Sequence, residues 1–167
     1  MTIPEEKTID TTNFRRTMGL FATGVTVVLA ETEGDVFGMT ANAVTSVSLE
    51  PPLVLVCVEK KAHLMTYLRK SGSFSINILN EDQADLSRYF ASMWTGPEPP
   101  VFSFEPWVGG PRLVNTLASI ACEITEYLEG GDHWIVLGRV IDLYRADDPP
   151  EPLLFYRGQY RQVQAKA

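Results

Sequence analysis

The sequence predicts a mainly β fold, an antiparallel barrel with accessory helices. Several β-branched or alternating apolar runs follow one another, separated by turn signals such as "EGD" and "GGD". The few helical stretches are short and do not alternate regularly with the strands, as a doubly wound parallel sheet would require. There is no repeat, low-complexity tract or linker, and 167 residues with 45% hydrophobic content suffice for one core. One domain over 1–167 is therefore expected, with 1–11 as a loose N-terminal segment.

The first helix is expected in "TTNFRRTMGLFATG", capped by Thr12 or Asn13 and closed by Gly24 in a left-handed conformation. Phe14, Met18 and Phe21 share one face, which reads as core. "VTVVLAE", the turn "EGD" and the return run "VFGMTANAVTSVSL" form a first antiparallel pair. "PPLVLVCVE" reads as a central strand with Pro51 and Pro52 at its start, where a missing amide does least harm to a ladder. "AHLMTYLRKSG" is a short helix ending in basic residues and Gly72. In "SFSINIL", Phe74, Ile76 and Ile78 alternate with Ser73, Ser75 and Asn77, which predicts one buried and one polar face.

Asn80 and Gln83 have capping-box spacing at the head of a further helix, with acidic residues in its first turn. From Trp94 to Pro111 the Pro, Gly and Trp content predicts an irregular excursion, of a kind that often covers a site. "LASIACEITEYLE", the turn "GGD" and "HWIVLGRVIDLYRA" make a second hairpin, and "LLFYRGQYRQV" closes the chain.

Charge and motifs exclude several functions. A net charge of −7 argues against a surface that tracks nucleic acid, because such binding neutralises phosphates with Lys and Arg. No run is apolar enough to span a bilayer, and "MTIPEEKTID" lacks a signal-peptide pattern, so the cytoplasm is the expected compartment. Cys57 and Cys122 sit in apolar runs and read as small packed hydrophobes. Two histidines and two distant cysteines make no metal set, and there is no G-x-G-x-x-G, Walker loop or G-x-S-x-G elbow.

What remains is "GMTANAVTSVS", residues 38 to 48, a polar cluster in an apolar β context. Its hydroxyl and amide groups can bond a heteroaromatic ring edge and a phosphate, while small side chains let backbone amides approach closely. A polar turn with solvated serines explains the same residues equally well. "GDHWIVLGRV" raises a similar choice, since His133 starts a strand directly after a tight turn.

The ordered blocks "FRRTMGLFATGVTVV", "GMTANAVTSVSLEPPLVLVCVEK", "SINILNEDQADLSRYFA", "GDHWIVLGRV" and "LLFYRGQY" resemble the flavin reductase-like family, short-chain NAD(P)H:flavin oxidoreductases of two-component monooxygenases. The resemblance runs from about Phe14 to about Tyr160. It implies a split antiparallel β-barrel related to other FMN-binding barrels, and a homodimer with flavin sites near the subunit interface. It also implies hydride transfer from NADH or NADPH to FMN or FAD, with reduced flavin passing to a partner monooxygenase.

Carried over by motif, the resemblance implies that Thr40, Ala41, Asn42, Ser46, Val47 and Ser48 hold the isoalloxazine ring and ribityl phosphate. Cys57, Val58 and Lys60 match the strand end beside the flavin, with His63 in the phosphate region and Phe90 bordering the ring. "GDH" resembles the family's signature turn, which implies that His133 meets the nicotinamide nucleotide, while Asp132 shapes the turn. Arg157, Gly158, Tyr160 and Arg161 resemble the closing motif that receives the dinucleotide, although relatives often carry lysine and histidine there. No side chain need act as acid or base, because the two cofactors carry the electronic step and the protein orients them. Two rivals are a non-catalytic flavin- or haem-binding split barrel, serving as sensor or store, and a ligand-carrying barrel with no redox role.

Overall fold

The computed structural model describes residues 8–163; residues 1–7, most of the expected loose N-terminal segment, lie outside that range. In chain order the elements are α1 (Thr11–Met18), β1 (Thr23–Gly24), β2 (Thr26–Thr32), β3 (Asp35–Ala41), β4 (Val44–Leu49), β5 (Pro52–Glu59), α2 (Leu64–Ser71) and β6 (Ser73–Ile78). A 3-10 turn (Glu81–Gln83) leads into α3 (Ala84–Phe90), followed by β7 (Phe104–Glu105), β8 (Arg112–Leu113), β9 (Ala118–Gly130), β10 (His133–Arg145), β11 (Leu154–Tyr156) and β12 (Gln159–Arg161).

Seven strands form one antiparallel sheet in the order β3-β2-β6-β9-β10-β5-β4. Its two edge strands, β3 and β4, are consecutive in the chain and joined only by Asn42 and Ala43. The edges therefore converge at that end and separate elsewhere, which makes a split barrel. The expected return run is thus divided: β3 pairs with β2, whereas β4 crosses over to pair with β5. β5 is flanked on both sides but lies second from the edge, and the central strand is β9.

The barrel interior follows from strand alternation. Val54, Val56 and Val58 of β5, Phe74 and Ile76 of β6, and Val136 of β10 point inward, closed at one end by Leu64, Met65 and Leu68 of α2. Gly72 ends α2 at φ 67°, the left-handed cap that its sequence predicts.

Outside the barrel, one half of the sheet is covered. Val27 and Leu29 of β2 pack with Leu86, Leu113 and Leu153, and Phe90, Phe102 and Phe104 close over them. The excursion thus seals a second core. Ser75 and Asn77 are consequently buried, not solvent-facing, because Asn77 anchors this cover. Its amide donates to Val27 O at 3.1 Å and to Ser75 Oγ at 3.0 Å, while its oxygen accepts from the Leu113 amide and the Ser119 hydroxyl, both at 2.9 Å. The capping box at Asn80 and Gln83 forms as expected.

α1 departs from expectation. Asp10 caps it, accepting from the amides of Thr12 and Asn13, and the helix ends at Gly19, while Gly24 lies in β1. Phe14, Met18 and Phe21 are 58%, 52% and 72% exposed, so their stripe is not part of this chain's core. Helical spacing shows that the residues share a face; it does not show what the face meets.

Candidate functional site

The other half of the outer sheet surface is bare. Leu55 and Cys57 of β5, with His133, Ile135 and Leu137 of β10, alternate with the inward valines and remain only half-buried. Ile135 pairs with Cys57 and His133 with Glu59, while the Cys57 amide donates to Ala43 O at 3.0 Å. Ala43 in the β3–β4 link, Cys57 of β5 and Ile135 of β10 therefore lie side by side, with His133 two residues along the same face. The second half of the 38–48 block, from Ala43 onward, and the "GDH" turn meet on one surface, whereas Gly38, Thr40 and Ala41 stay with β3 at the other edge.

β4 is an edge strand, so one row of its backbone donors and acceptors is left free by this sheet. Ser46 and Val47 are exposed and Ser48 is half-buried, and a register shift between Ser46 and Ser48 leaves Val47 bulged. Asn42 is held by Thr23, its amide donating to Thr23 Oγ1 at 3.3 Å. Free main-chain donors, hydroxyls and one amide beside an apolar face fit a planar heteroaromatic ring with polar edges.

The turn at 131–133 is built by two contacts. Gly131, at φ 71°, takes the first central position of a two-residue hairpin turn, which suits glycine. The Lys60 amide donates to Asp132 O at 3.0 Å. Asp132 Oδ1 lies 2.7 Å from His133 Nδ1, and this hydrogen bond, the nearby imidazole charge and Arg15 hold the Asp132 carboxyl below the usual range.

Several expected ligands have other work. Val58 is fully buried in the barrel, so only its main chain is near the face. Phe90 packs on Gly38 and against the second core, on the covered half of the sheet. The Lys60 ammonium pairs with Glu129 at 3.1 Å and lies 4.9 Å from the Trp134 ring centroid, beside an inward-side residue. His63, exposed at the start of α2, packs edge-on against Phe37 and Tyr67. The Thr40 hydroxyl donates to Ser87 O at 2.7 Å, and Ala41 is buried, so both shape β3 where it leaves for β4. Burial raises the Cys57 thiol and pushes Cys122 up to about 12, which leaves both as neutral packing groups.

The closing motif divides between two places. Tyr160 stands 2.8 Å from Ser87 Oγ with the Arg88 guanidinium 4.8 Å from its ring, and Arg161 donates to Gln159. Arg157 and Gly158 instead face α1 across a groove of about 600 Å³ also lined by Arg15, Arg16, Gly19 and Leu20. Arg15 and Arg16 were not anticipated; the signal was the pair "RR" in an acidic chain, one turn before a helix stop. Among the described residues no group of His, Cys, Asp and Glu could hold a metal ion, and no helix is long and apolar enough to cross a membrane.

A split antiparallel barrel with a bare, polar-edged sheet face next to a cationic groove defines a protein that binds planar, anionic cofactors. Residues 18–164 match the family model described as the flavin reductase like domain. An NADH-dependent flavin reductase from Rhodococcus sp is 41% identical over 155 residues, 91% of this chain and 86% of that one. The reductase subunit HsaB of a flavin-dependent monooxygenase from Rhodococcus jostii is 37% identical over 160 residues, 93% and 80% of the two chains. The solved structure of flavin reductase PheA2 in its native state superposes with a TM-score of 0.88 at 41% identity, covering 94% of this chain and all of that one. The chain belongs to the flavin reductase-like family.

Proposed function

We infer that this chain is an NADH-dependent flavin reductase, one unit that supplies reduced FMN or FAD to a separate monooxygenase component. One observation carries the reading: Ala43 in the link between β3 and β4, Cys57 of β5 and Ile135 of β10 are neighbours, with His133 on the same face. That adjacency gives two flat cofactors a common surface. The names of the relatives, an NADH-dependent flavin reductase and a monooxygenase reductase subunit, support the same activity.

Within this reading, Asn42, Ser46, Val47 and Ser48 receive the flavin ring edge, with main-chain donors of the β4 edge stabilising charge on it. Cys57 lies beneath as a small neutral surface. His133, oriented by Asp132 and by the Lys60 amide, meets the nicotinamide nucleotide, and Arg157 with Gly158 receives its anionic part. Lys60 acts through the turn, not on a flavin phosphate. When both cofactors are bound they supply the redox chemistry, a hydride passing from nicotinamide C4 to flavin N5.

A homodimer is part of the proposal. The bare face, with Val47, Leu49 and Leu128 exposed, and the α1 stripe are apolar surfaces that a second copy would cover. The cytoplasm, where reduced nicotinamide is held, is the proposed compartment.

The deciding experiment is aerobic NADH consumption by the purified chain with and without added FMN or FAD. Flavin-dependent consumption is expected. Failure both to bind flavin and to oxidise NADH would overturn the reading.

A further inference from the structure

We propose that Arg69, in the last turn of α2, is a positioning residue for the reduction: its guanidinium, over the rings of Tyr127 and Trp134, holds the end of the β9–β10 hairpin and thereby sets where His133 stands. The hold is a matter of geometry, while its kinetic consequence rests on the reductase reading.

Strand geometry is the first argument. His133 and Trp134 are consecutive in β10, so their side chains leave opposite faces of the sheet. His133 stands on the bare face, while Trp134 and Tyr127 turn to the barrel side and pack against its core. The hairpin end also contains Gly130 and Gly131, and the hydrogen bond between Asp132 and His133 lies within the turn, tying it to no other element. Whatever fixes the Trp134 ring on one face therefore fixes the imidazole on the other.

Cations on rings supply the hold. The Arg69 guanidinium carbon lies 5.0 Å from the Tyr127 ring centroid and 5.1 Å from that of Trp134, and the two rings meet edge-on at 6.4 Å. The Lys60 ammonium lies 4.9 Å from the Trp134 centroid and pairs with Glu129, the strand partner of Trp134. A cation within about 6 Å of an aromatic centroid is attracted by the electron-rich face of the ring. Burial raises the Tyr127 phenol, and the Arg69 charge acts against that rise.

The arginine itself stands on a rigid base. Leu64, Met65, Tyr67 and Leu68 bury one face of α2 in the barrel end, and the Tyr67 hydroxyl donates to the Asp35 carboxylate at the start of β3. The helix dipole favours Arg69 and Lys70 in the last turn of α2. It does not account for a guanidinium lying over two rings of another hairpin. Lys60 meets the same turn through its main chain, since its amide donates to Asp132 O at 3.0 Å. That amide reports on whether the turn is held.

The test compares the full chain with Arg69→Met, which keeps an apolar stem but loses the charge, and with Arg69→Lys, which keeps a cation. In Arg69→Met the Lys60 amide should exchange its hydrogen roughly fivefold faster, and KM for NADH should rise by about the same factor, the scale of a lost cation–ring contact. Oxidised-flavin affinity and kcat should stay within about twofold, and Arg69→Lys should recover most of both losses. In a His133→Ala background Arg69→Met should add nothing further to KM, because it acts through that imidazole. Unchanged Lys60 exchange or unchanged KM in Arg69→Met, or an effect on KM that adds in full to that of His133→Ala, would overturn the proposal. So would a loss of flavin affinity as large as the loss for NADH, which marks a general loosening of the barrel. Amide exchange needs no turnover: faster Lys60 exchange in a chain that reduces no flavin leaves the hold standing and the reductase reading overturned, whereas flavin reduction with Arg69→Met indistinguishable from wild type does the reverse.

Discussion

His133 Nδ1 lies 2.7 Å from Oδ1 of Asp132, its immediate neighbour in the turn. The pair fixes the imidazole at the end of the bare sheet face, where an unsupported ring would turn freely. His133→Ala should therefore raise KM for NADH by roughly tenfold, the worth of one lost polar contact of about 1.4 kcal/mol. Oxidised-flavin affinity should stay within about twofold. Steady-state kinetics with a parallel flavin titration checks both, and equal losses would reject the role given to His133.

The same pair sets a pH dependence. The Asp132 carboxyl is held below its ordinary range, so its contribution to the turn is complete above the normal carboxylate pKa, near about 4. It is lost only as pH falls through the depressed folded value. KM for NADH should accordingly show no Asp132-linked rise between neutral pH and about 5. Asp132→Ala, which leaves His133 Nδ1 without its partner, should raise KM at neutral pH. Kinetic profiles of the two proteins at constant ionic strength test this, and identical KM values would remove Asp132 from the site.

Asn42→Leu removes an amide that Thr23 holds in place and adds an apolar branch. Flavin affinity should fall by about tenfold, as for the loss of one or two neutral hydrogen bonds. Fluorescence titration with FMN and FAD measures it. Unchanged affinity would move the ring away from residues 42–48.

Gly38→Ala tests Phe90 as a core residue. A Cβ at this position would lie 2.6 Å from two Phe90 ring atoms and 2.7 Å from a Leu29 methyl. Overpacking of this kind costs about 1–3 kcal/mol. Urea denaturation should show the loss at an unchanged slope; full stability would mean that Phe90 is free to leave the core.

Asn77→Ala should cost about 2–5 kcal/mol, because it strands the buried Leu113 amide, leaves the Ser119 hydroxyl with Thr116 as its remaining partner and opens a small cavity. Asn77 holds Leu113, just beyond the excursion from Trp94 to Pro111, and Ser75, whose hydroxyl donates to Pro111 O at 2.6 Å, so limited proteolysis should cut the excursion first. Resistance equal to wild type would show that the cover is held by its phenylalanines alone.

Local physics made much of the fold readable. The "GGD" hairpin, the Asn80 capping box and the Gly72 cap each depend on residues within a few positions of one another, and all three formed. Where a face meets its cover, the reading failed. The spacing of Phe14, Met18 and Phe21 predicts core and they are exposed, while the alternation of Ser75 and Asn77 predicts a solvated face and they are buried. Periodicity assigns residues to a face, but only the arrival of distant segments decides whether that face is wet.

The site divides in the same way. The "GDH" turn and the polar block could be named from residue order, since each is a continuous stretch. Val58, Phe90 and Lys60 matched by position but turned toward the barrel, the second core and Glu129. Arg15 and Arg16 carry no local signature of a site, because their partner in the groove, Arg157, is more than 140 residues away.

By itself the sequence determined the family, the strands and their turns, because these follow from side-chain chemistry over short spans. Only the tertiary structure decided that β4 crosses to β5, that His133 and the second half of the 38–48 block share one surface, and that three arginines meet at one groove. Those outcomes depend on which edges pair and which way each strand faces. Pairing is a global balance of burial and hydrogen bonding that no single segment encodes.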